Sequence, residues 1–302
     1  MNRICPAPGT LSIGVAAHGN VNITVECLKS IFATVDGDFE LLLIDDASPD
    51  DMLSLYRKAA EFHPNTRIYR FPENLEYTQS VNCLLNEASG ERVLFVSNDI
   101  FITPSYVAAL LEAMTDRSIG VARGVSNFVD NLLNTHNVIP DGPLATWDEL
   151  IAFAAKQFHS AAEPIDDPFL IGDAFMVSGE LLRAIGGFDL RFHGYLSDID
   201  FGIRAVAAGY RRACCPRAFA HHIKDANFHY LDAEERRRKI ARRTERHLKA
   251  WTVFREIWGP DHLPAKWPGT HYIPFAELEL RARDSGVRTV DPVSYSRYLI
   301  QP

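Results

Sequence analysis

The sequence predicts an α/β fold, with a central, mostly parallel sheet flanked by helices and followed by a C-terminal helical extension. Over residues 1–125, short β-branched runs alternate with stretches of helical period, which is typical of βαβ units around a parallel sheet. The run at 92–96 suits the middle of such a sheet because it is almost wholly apolar. The composition, 47% hydrophobic and 23% charged over 302 residues, is that of a globular protein with a substantial core.

Charge and cysteine content argue against several classes of protein. A formal net charge of −8 opposes a general nucleic-acid surface, because phosphate binding needs a cationic footprint. The five cysteines show no C-x-x-C spacing, which predicts reduced thiols and neither a disulfide framework nor a zinc site. No apolar run approaches the roughly 20 residues that cross a bilayer, and the chain starts without an apolar signal region. We therefore expect a cytoplasmic protein.

Hydrophobic periodicity places the individual elements. The first half reads as strand 11–15, helix 22–34, strand 40–44, helix 49–63, strand 66–71, helix 77–88 and strand 92–96. Thr103 is expected to cap the next helix, with Pro104 at its first position. The periodic pattern then resumes and predicts strand 173–177, a short helix ending at 186–187, helix 197–209 and helix 232–258.

The same pattern divides the chain. Residues 1–225 form the predicted main domain, split into halves at 125, and residues 226–302 form the C-terminal extension. Residues 126–170 lack a stable period apart from a helical patch at 147–158, so we interpret them as an insertion or lid.

Carboxylates follow two of the predicted parallel strands, at the edge where such sheets bind ligands. Capping explains Ser48, but Asp45 and Asp46 are adjacent like charges that need donors, and we expect a ligand to supply them. Asp99 follows the central strand and suits Mg²⁺ or Mn²⁺, which sit between one or two carboxylates and substrate phosphates. The alternative, that Asp99 only begins the turn before Thr103, is equally well supported by spacing.

A third acidic pair begins the helix at 197. Asp198 and Asp200 are about 200° apart on a helix, so one can face a cleft while the other has a structural role. The helix N-terminus favours the ionised form that a general base needs. His221 and His222 follow later, and only proximity to Asp99 would make either of them a metal ligand.

Four motifs in order resemble those of the family 2 glycosyltransferases of the GT-A type. They are IDDASPD at 44–50, Asn-Leu through Asn at 74–82, VLFVSND at 93–99, and GGFD followed by GYLSDID at 186–200. The resemblance covers roughly residues 10–225. It implies a nucleotide-sugar-binding half at 1–125, an acceptor-binding half at 126–225 and an inverting transfer to an acceptor hydroxyl.

The resemblance also implies roles for individual residues. Asp198 becomes the catalytic base, and Asp99 with His221 the ligands of Mn²⁺ or Mg²⁺. The implied donor-binding residues are Ala17, His18, Asp45, Asp46, Ser48, Asn74, Asn82, Ser97, Asn98 and Asp99. The implied acceptor-binding residues are Asp173, Tyr195 and Asp200. The implied partners are a UDP-sugar or dTDP-sugar donor and a glycan or lipid-linked acceptor in bacterial surface polysaccharide or glycoconjugate synthesis.

The sequence departs from the family pattern at several positions. His18 lies where a nucleotide-stacking tyrosine is usual, and Glu76 stands where a glycine is usual. Ser97 and Asn98 replace the first acid of the metal motif, and Ser197 replaces the glutamate that commonly precedes the base.

Two other functions compete with this interpretation. A dinucleotide-dependent oxidoreductase is opposed by the first strand exit, residues 16–20, which has no G-x-G-x-x-G. A non-catalytic partner subunit with the same fold is opposed by the joint presence of Asp99, Asp198 and His221.

The helix at 232–258 also has two interpretations. Glutamates four residues before lysines or arginines indicate a solvated, salt-paired face. The sharper hypothesis is peripheral contact with an anionic membrane at the inner face. That contact would use Arg236, Arg237, Arg242, Arg243 and Arg246.

Overall fold

The computed structural model describes residues 3–7, 9–129, 136–160, 162–223, 226 and 232–300. The strands are β1 (Leu11–Ala17), β2 (Glu40–Asp45), β3 (Thr66–Arg70), β4 (Arg92–Ser97), β5 (Ile100–Phe101), β6 (Ile119–Ser126), β7 (Ile165–Asp166), β8 (Ala174–Ser178), β9 (Arg211–His222) and β10 (Leu299–Ile300). The α-helices are α1 (Val21–Thr34), α2 (Met52–Phe62), α3 (Glu76–Glu87), α4 (Pro104–Ala113), α5 (Trp147–Ser160), α6 (Gly179–Ile185), α7 (Ser197–Ala207), α8 (Ala233–Trp258) and α9 (Phe275–Asp284).

The sheet is mixed but mostly parallel, as predicted. Its order is β10-β3-β2-β1-β4-β8-β6-β9-β5, with β7 beside β9. Strands β1 to β4 run parallel to one another, and β6 runs parallel to β9. Strand β8 lies antiparallel between β4 and β6, and β10 is antiparallel to β3 at the edge.

Helices cover both faces of the sheet, which explains the continuous apolar run of β2. Leu41 and Leu43 pack on the side of α1, α2 and α4, whereas Leu42 and Ile44 pack on the side of α3 and α6. Alternate side chains of a strand point to opposite faces, so a strand buried on both faces needs every position apolar.

The predicted elements of residues 1–125 agree with the structure to within a few residues, and Thr103 caps α4 as expected by accepting a hydrogen bond from the Tyr106 amide. Strands β6 and β9 were not predicted. Two glycines and the buried Arg123 interrupt the apolar pattern of β6, and Pro216 with several arginines interrupts that of β9. Tertiary partners, not local apolar alternation, stabilise these strands.

The C-terminal segment shares a core with the rest of the chain. Trp251 and Phe254 of α8 pack against Phe192, Leu196 and Ile199, and β10 extends the sheet edge. The predicted division between 225 and 226 adjoins residues outside the described part of the chain. None of the helices in the described ranges has the length and apolarity needed to cross a membrane.

Strand register brings the predicted site loops together. Ala17 is paired with Asp45, Ala16 with Ser97, and Asp45 with Arg70. The loops that follow β1, β2, β3 and β4 therefore leave the sheet at the same edge. Four non-glycine residues of the described chain have positive φ, and all four lie in loops or at a helix start that flank the candidate site. They are Asn20, Ala47, Glu76 and Leu196. Strained backbone of this kind clusters at functional sites.

Candidate active site

Asp46 connects two loops at this edge. Its carboxylate accepts hydrogen bonds from the amides of Leu75 and Glu76, at 2.6 and 2.9 Å. Burial raises the pKa of Asp46, while the two amides and the nearby His18 oppose that rise. Asp46 therefore fixes the β3–α3 loop against the end of β2.

Asp45 is completely buried and has protein partners of its own. Its carboxylate accepts from the Ser48 amide at 2.8 Å and from Arg70 Nη1 at 2.6 Å. The expectation that a ligand must compensate this acidic pair is wrong, because Arg70 and backbone amides do so. Asp45 is a structural residue here and does not reach the cleft.

The exit of β1 is held by the exit of β2. Ser48 Oγ accepts from the Gly19 amide at 2.9 Å, and the Ala17 carbonyl accepts from the Asp46 amide at 2.9 Å. Ala17 and Ser48 are buried, so their side chains brace the loop, whereas His18 is exposed with Nδ1 2.6 Å from the Asp46 carbonyl. Of the residues predicted near the donor in these two loops, His18 is the one presented to solvent.

Asn74 and Asn82 differ in position. Asn74 is exposed in the β3–α3 loop and accepts from the Glu76 amide at 3.0 Å. Asn82 is buried, donates to the Phe188 carbonyl at 2.6 Å and accepts from the Phe188 amide at 2.7 Å. Because both of its amide atoms are engaged, Asn82 joins α3 to the 186–189 turn and is not available to a donor. Gly187 is required there because a Cβ would collide with the Asn82 oxygen.

The exit of β4 carries three predicted residues. Ser97 is half-buried, and its amide donates to the Asp173 carbonyl at 2.9 Å. Asn98 donates to Thr24 Oγ1 at 2.9 Å and so links this exit to α1. Asp99 directs its carboxylate toward β9, where His222 Nε2 lies 3.5 Å from Asp99 Oδ2.

His222, not His221, contacts Asp99. His221 pairs with Phe101 of β5, and His222 pairs with Ile100. Because adjacent residues of a strand point to opposite faces, the two imidazole rings lie on different sides of the sheet. The His221 ring lies 5.9 Å from the Phe101 ring and lines a separate cavity. We therefore replace His221 by His222 in the candidate metal site.

The donor atoms near Asp99 fit a divalent cation that is completed by substrate. His222 Nδ1 lies 2.9 Å from the Phe128 carbonyl, so it donates there and leaves Nε2 facing Asp99. A carboxylate with one imidazole suits Mn²⁺ better than Mg²⁺, which prefers an all-oxygen shell. Within the described residues no group of three or more histidine, cysteine, aspartate or glutamate side chains is arranged as a complete metal site. Substrate phosphates would have to supply the remaining ligands.

Asp173 lies next to His222 and pairs with a buried arginine. Its carboxylate is 3.1 Å from Arg123 Nη2 and 3.9 Å from His222 Nδ1. Arg123 is buried and also donates to the Ile171 and Gly124 carbonyls. Burial opposes protonation of His222, but Asp99 and Asp173 overcome it and raise the pKa of that imidazole. Asp173 was predicted to bind acceptor, and the structure instead engages it with Arg123.

Asp198 occupies the first turn of α7. It accepts hydrogen bonds from the Gly172 amide at 2.8 Å and from the Ile199 amide at 2.9 Å. Burial raises the pKa of Asp198 to about 6, with a contribution from the charge of Asp173 and with the two amides opposing it. A carboxylate with this pKa is largely ionised at neutral pH and still basic enough to accept a proton.

Asp200 faces the other way, as its spacing from Asp198 predicts. It is completely buried, accepts from Arg204 Nε at 2.9 Å and from Trp258 Nε1 at 3.1 Å, and pairs with Arg288. The predicted role of Asp200 in acceptor binding is therefore wrong. Tyr195 is half-buried, with its ring 5.3 Å from that of His247 on α8.

Sequence reasoning missed three residues that build the site. Tyr77 donates to the Gly172 carbonyl at 2.7 Å, next to Asp198, and a Cβ on Gly172 would collide with its hydroxyl. Arg70 and Arg123 neutralise Asp45 and Asp173. Arg70 is the last residue of β3 and pairs in register with Asp45, and no local signal marks Arg123.

A mostly parallel α/β sheet with a carboxylate–histidine pair at its strand exits and a carboxylate on a helix agrees with the GT-A glycosyltransferases that the four sequence motifs resemble. The chain belongs to glycosyl transferase family 2, whose sequence profile matches residues 12–186, more than half of the chain.

Individual relatives agree with this assignment. The N-acetylglucosaminyl-diphospho-decaprenol L-rhamnosyltransferase of Mycobacterium tuberculosis is 25% identical over 225 residues, covering 65% of this chain and 70% of the relative. The chain spans 28% of the length of one other curated relative and 77% of another.

Solved structures share the fold. The mannosyltransferase PcManGT from Pyrobaculum calidifontis, in complex with GDP-Man and Mn²⁺, superposes with a TM-score of 0.58 at 17% identity, covering 92% of this chain and 70% of that one. GalNAc-T7 with UDP, GalNAc and Mn²⁺ gives a TM-score of 0.63 at 14% identity, covering 93% of this chain and 55% of that one. The chain therefore has the GT-A fold of these solved structures.

Proposed function

We propose that the protein transfers a sugar from a nucleotide diphosphate donor to an acceptor hydroxyl with inversion at the anomeric carbon, and that Asp198 is the general base. The position and raised pKa of Asp198 carry this proposal. Gly172 and Ile199 orient the carboxylate, and Tyr77 holds Gly172 in place.

Other residues of the chain would bind the cation and the nucleotide. Asp99 and His222 would hold Mn²⁺ or Mg²⁺, and a bound divalent cation would offset negative charge on the departing diphosphate. Asp46 positions the loop that carries Asn74, and His18 is exposed beside it, so these residues would border the nucleotide. In a single displacement, Asp198 accepts the proton of the acceptor hydroxyl as that oxygen bonds to the anomeric carbon and the bond to the diphosphate breaks.

A thermal-shift screen against UDP, dTDP, GDP and NAD, each with and without Mn²⁺, tests the donor class, because a ligand of the native state raises its melting temperature. We expect a Mn²⁺-dependent shift with UDP or dTDP and none with NAD. The GT-A neighbours solved with UDP and with GDP-Man support a nucleotide diphosphate without deciding its base. The absence of a shift with every nucleotide would favour a non-catalytic partner subunit.

We further propose that the acceptor is a glycan or lipid-linked intermediate of a bacterial surface polysaccharide, and that the protein works at the inner face of the membrane. The support comes from the relative named for a diphospho-decaprenol substrate and from α8. The segment 232–246 of α8 is largely exposed and rich in arginine. This segment reaches the candidate site where Arg246 pairs with Glu76 at 3.0 Å.

Sedimentation with vesicles distinguishes membrane contact through α8 from the alternative that this helix only presents a solvated, salt-paired face. The ion pairs Arg238–Glu234 and Lys249–Glu245 belong to that alternative. We expect binding to vesicles containing phosphatidylglycerol at low salt, and its loss in an Arg237→Glu/Arg242→Glu variant. Binding that is equal for neutral vesicles, or equal in that variant, would contradict membrane contact through α8.

A further inference from the structure

A separate cavity of about 490 Å³ lies on the His221 side of β9, away from the face that carries His222. Its volume is within the range of roughly 300–1,000 Å³ typical of ligand pockets. The side chains that matter for its chemistry are Glu26, Lys29, Phe101, Trp147, Leu150 and His221.

Local structure fixes the aromatic wall of this cavity. Thr146 Oγ1 accepts from the Glu149 amide at 3.2 Å, while Glu149 accepts from the Thr146 amide at 2.9 Å. This capping box sets the start of α5 and places Trp147, 37% exposed, at its first position. On the opposite side, Phe101 and His221 belong to the β5–β9 pair.

The charges of the cavity are balanced. Lys29, the one lysine or arginine among the lining residues, pairs with Glu26 at 2.7 Å. A phosphate or carboxylate would find no unpaired cation among these lining groups. An uncharged ligand fits this balance.

The cavity also offers hydrogen bonds beside its apolar surface. The His221 ring lines the cavity, and its Nδ1 atom is shielded from solvent and has no hydrogen-bond partner in the described part of the chain, although buried polar atoms normally have one. A ligand hydroxyl would reach this atom after a rotation of the imidazole ring. Lys29 and Glu26 add a donor and an acceptor at the rim. Aromatic faces next to a few mixed donors and acceptors match the C–H face and the hydroxyl groups of a sugar ring.

We propose that this cavity is a second carbohydrate site, which binds one uncharged pyranose unit with Trp147 and Phe101 against its ring and His221 on a hydroxyl. The site goes beyond the proposed transfer, because neither the donor nor the reacting hydroxyl enters it. Its occupant would be a neutral unit of a glycan, held on the His221 face of β9, opposite the face that carries His222.

Saturation-transfer NMR with methyl glycosides of glucose, galactose, mannose, L-rhamnose and N-acetylglucosamine tests the site in the full chain. We expect at least one glycoside to bind at millimolar concentration, to remain bound in excess UDP and Mn²⁺, and to persist in Asp198→Asn. Trp147→Ala should weaken it by about tenfold or more. Tyr272→Ala, which removes another exposed aromatic ring outside the cavity, should leave it unchanged.

The outcome is separable from that of the proposed function. The thermal shift with UDP and Mn²⁺ should be equal in wild type, Trp147→Ala and His221→Leu. Binding of no glycoside, displacement by UDP, or equal affinity in Trp147→Ala and wild type would each overturn the second site. If circular dichroism shows that Trp147→Ala is misfolded, the glycoside affinities of Trp147→Phe and His221→Leu are compared with that of wild type instead. We expect the larger loss of affinity for His221→Leu, because it removes the contact with the hydroxyl.

Discussion

The Nε2 atom of His222 lies 3.5 Å from the Oδ2 atom of Asp99, across the antiparallel pair of β5 and β9. The other ring nitrogen of His222 is occupied by the Phe128 carbonyl, which fixes the ring orientation. Such outer contacts commonly tune a metal ligand. This geometry separates the roles of two adjacent histidines.

Replacement of each histidine by alanine tests that separation. We expect His222→Ala to lower Mn²⁺ affinity by at least about tenfold, because a nitrogen ligand is lost. His221→Ala is the matched control and should keep wild-type Mn²⁺ affinity. Titration of Mn²⁺ in the presence of the bound nucleotide, followed by electron paramagnetic resonance, measures both. The reverse ranking would return the ligand role to His221.

Asp198→Asn removes the proposed base while keeping the side-chain shape. Turnover should fall by about 10²- to 10⁴-fold, the typical contribution of general-base catalysis. Donor binding, read as a thermal shift, should be retained. The exposed Asp141→Asn is the control for loss of a single charge. Turnover of Asp198→Asn near the wild-type level would exclude this residue as the base.

The pKa of Asp198, raised by burial to about 6, sets an acid limb in the rate profile. A base acts only when ionised, so kcat/KM should fall about tenfold per pH unit below that pKa and level off above it. The same shift means that the folded state holds a proton which the unfolded chain releases. The contribution of this carboxyl to the free energy of unfolding therefore decreases as pH rises from 3.8, its ordinary pKa, to about 6, its pKa in the folded state. A rate that stays flat down to pH 4.5, with the fold intact by circular dichroism, would contradict the assignment.

Arg70 should matter for stability because it neutralises the buried Asp45. Arg70→Met is expected to cost about 2 kcal/mol in urea unfolding, less than for a fully buried pair since the Arg70 side chain is 36% exposed. Adding Asp45→Asn should recover part of the loss, because the uncompensated charge disappears. Arg57→Met, an exposed arginine on α2, should change stability little. Additive effects of Arg70→Met and Asp45→Asn would show that the two residues are not coupled.

Arg288 ties the C-terminal segment to two buried acids, one between α6 and α7 and one on α7. It lies 2.5 Å from Asp189 and also pairs with Asp200. Arg288→Ala should destabilise the protein by about 3 kcal/mol and speed amide exchange in residues 287–300. Arg281→Ala, which breaks an exposed pair with Glu277, is the control. Unchanged exchange in Arg288→Ala would assign the anchoring to the apolar contacts of α8.

The site was predictable where chemistry depends on residue type at a strand or helix end. The sequence predicts Asp99, Asp198 and Asp46 as site residues because they follow apolar strands or begin a helix at the ligand-binding edge. Asp45, Asn82 and Asp200 were assigned to ligands and are instead buried with protein partners. Among those partners, Arg204 is the i,i+4 neighbour of Asp200 on α7. Arg70, Phe188 and Arg288 lie far along the chain from the residues that they contact, and no local pattern reveals that they are close in space.

The sequence by itself determined the α/β class, the βαβ order of residues 1–125 and the separation of Asp198 from Asp200, because periodicity and helical rotation are local properties. The tertiary structure decided which of two adjacent histidines meets Asp99, which carboxylates are neutralised by arginine, and where β6 and β9 enter the sheet. Each of these depends on strand register and on long-range pairing, which are properties of the packed chain and not of any one segment.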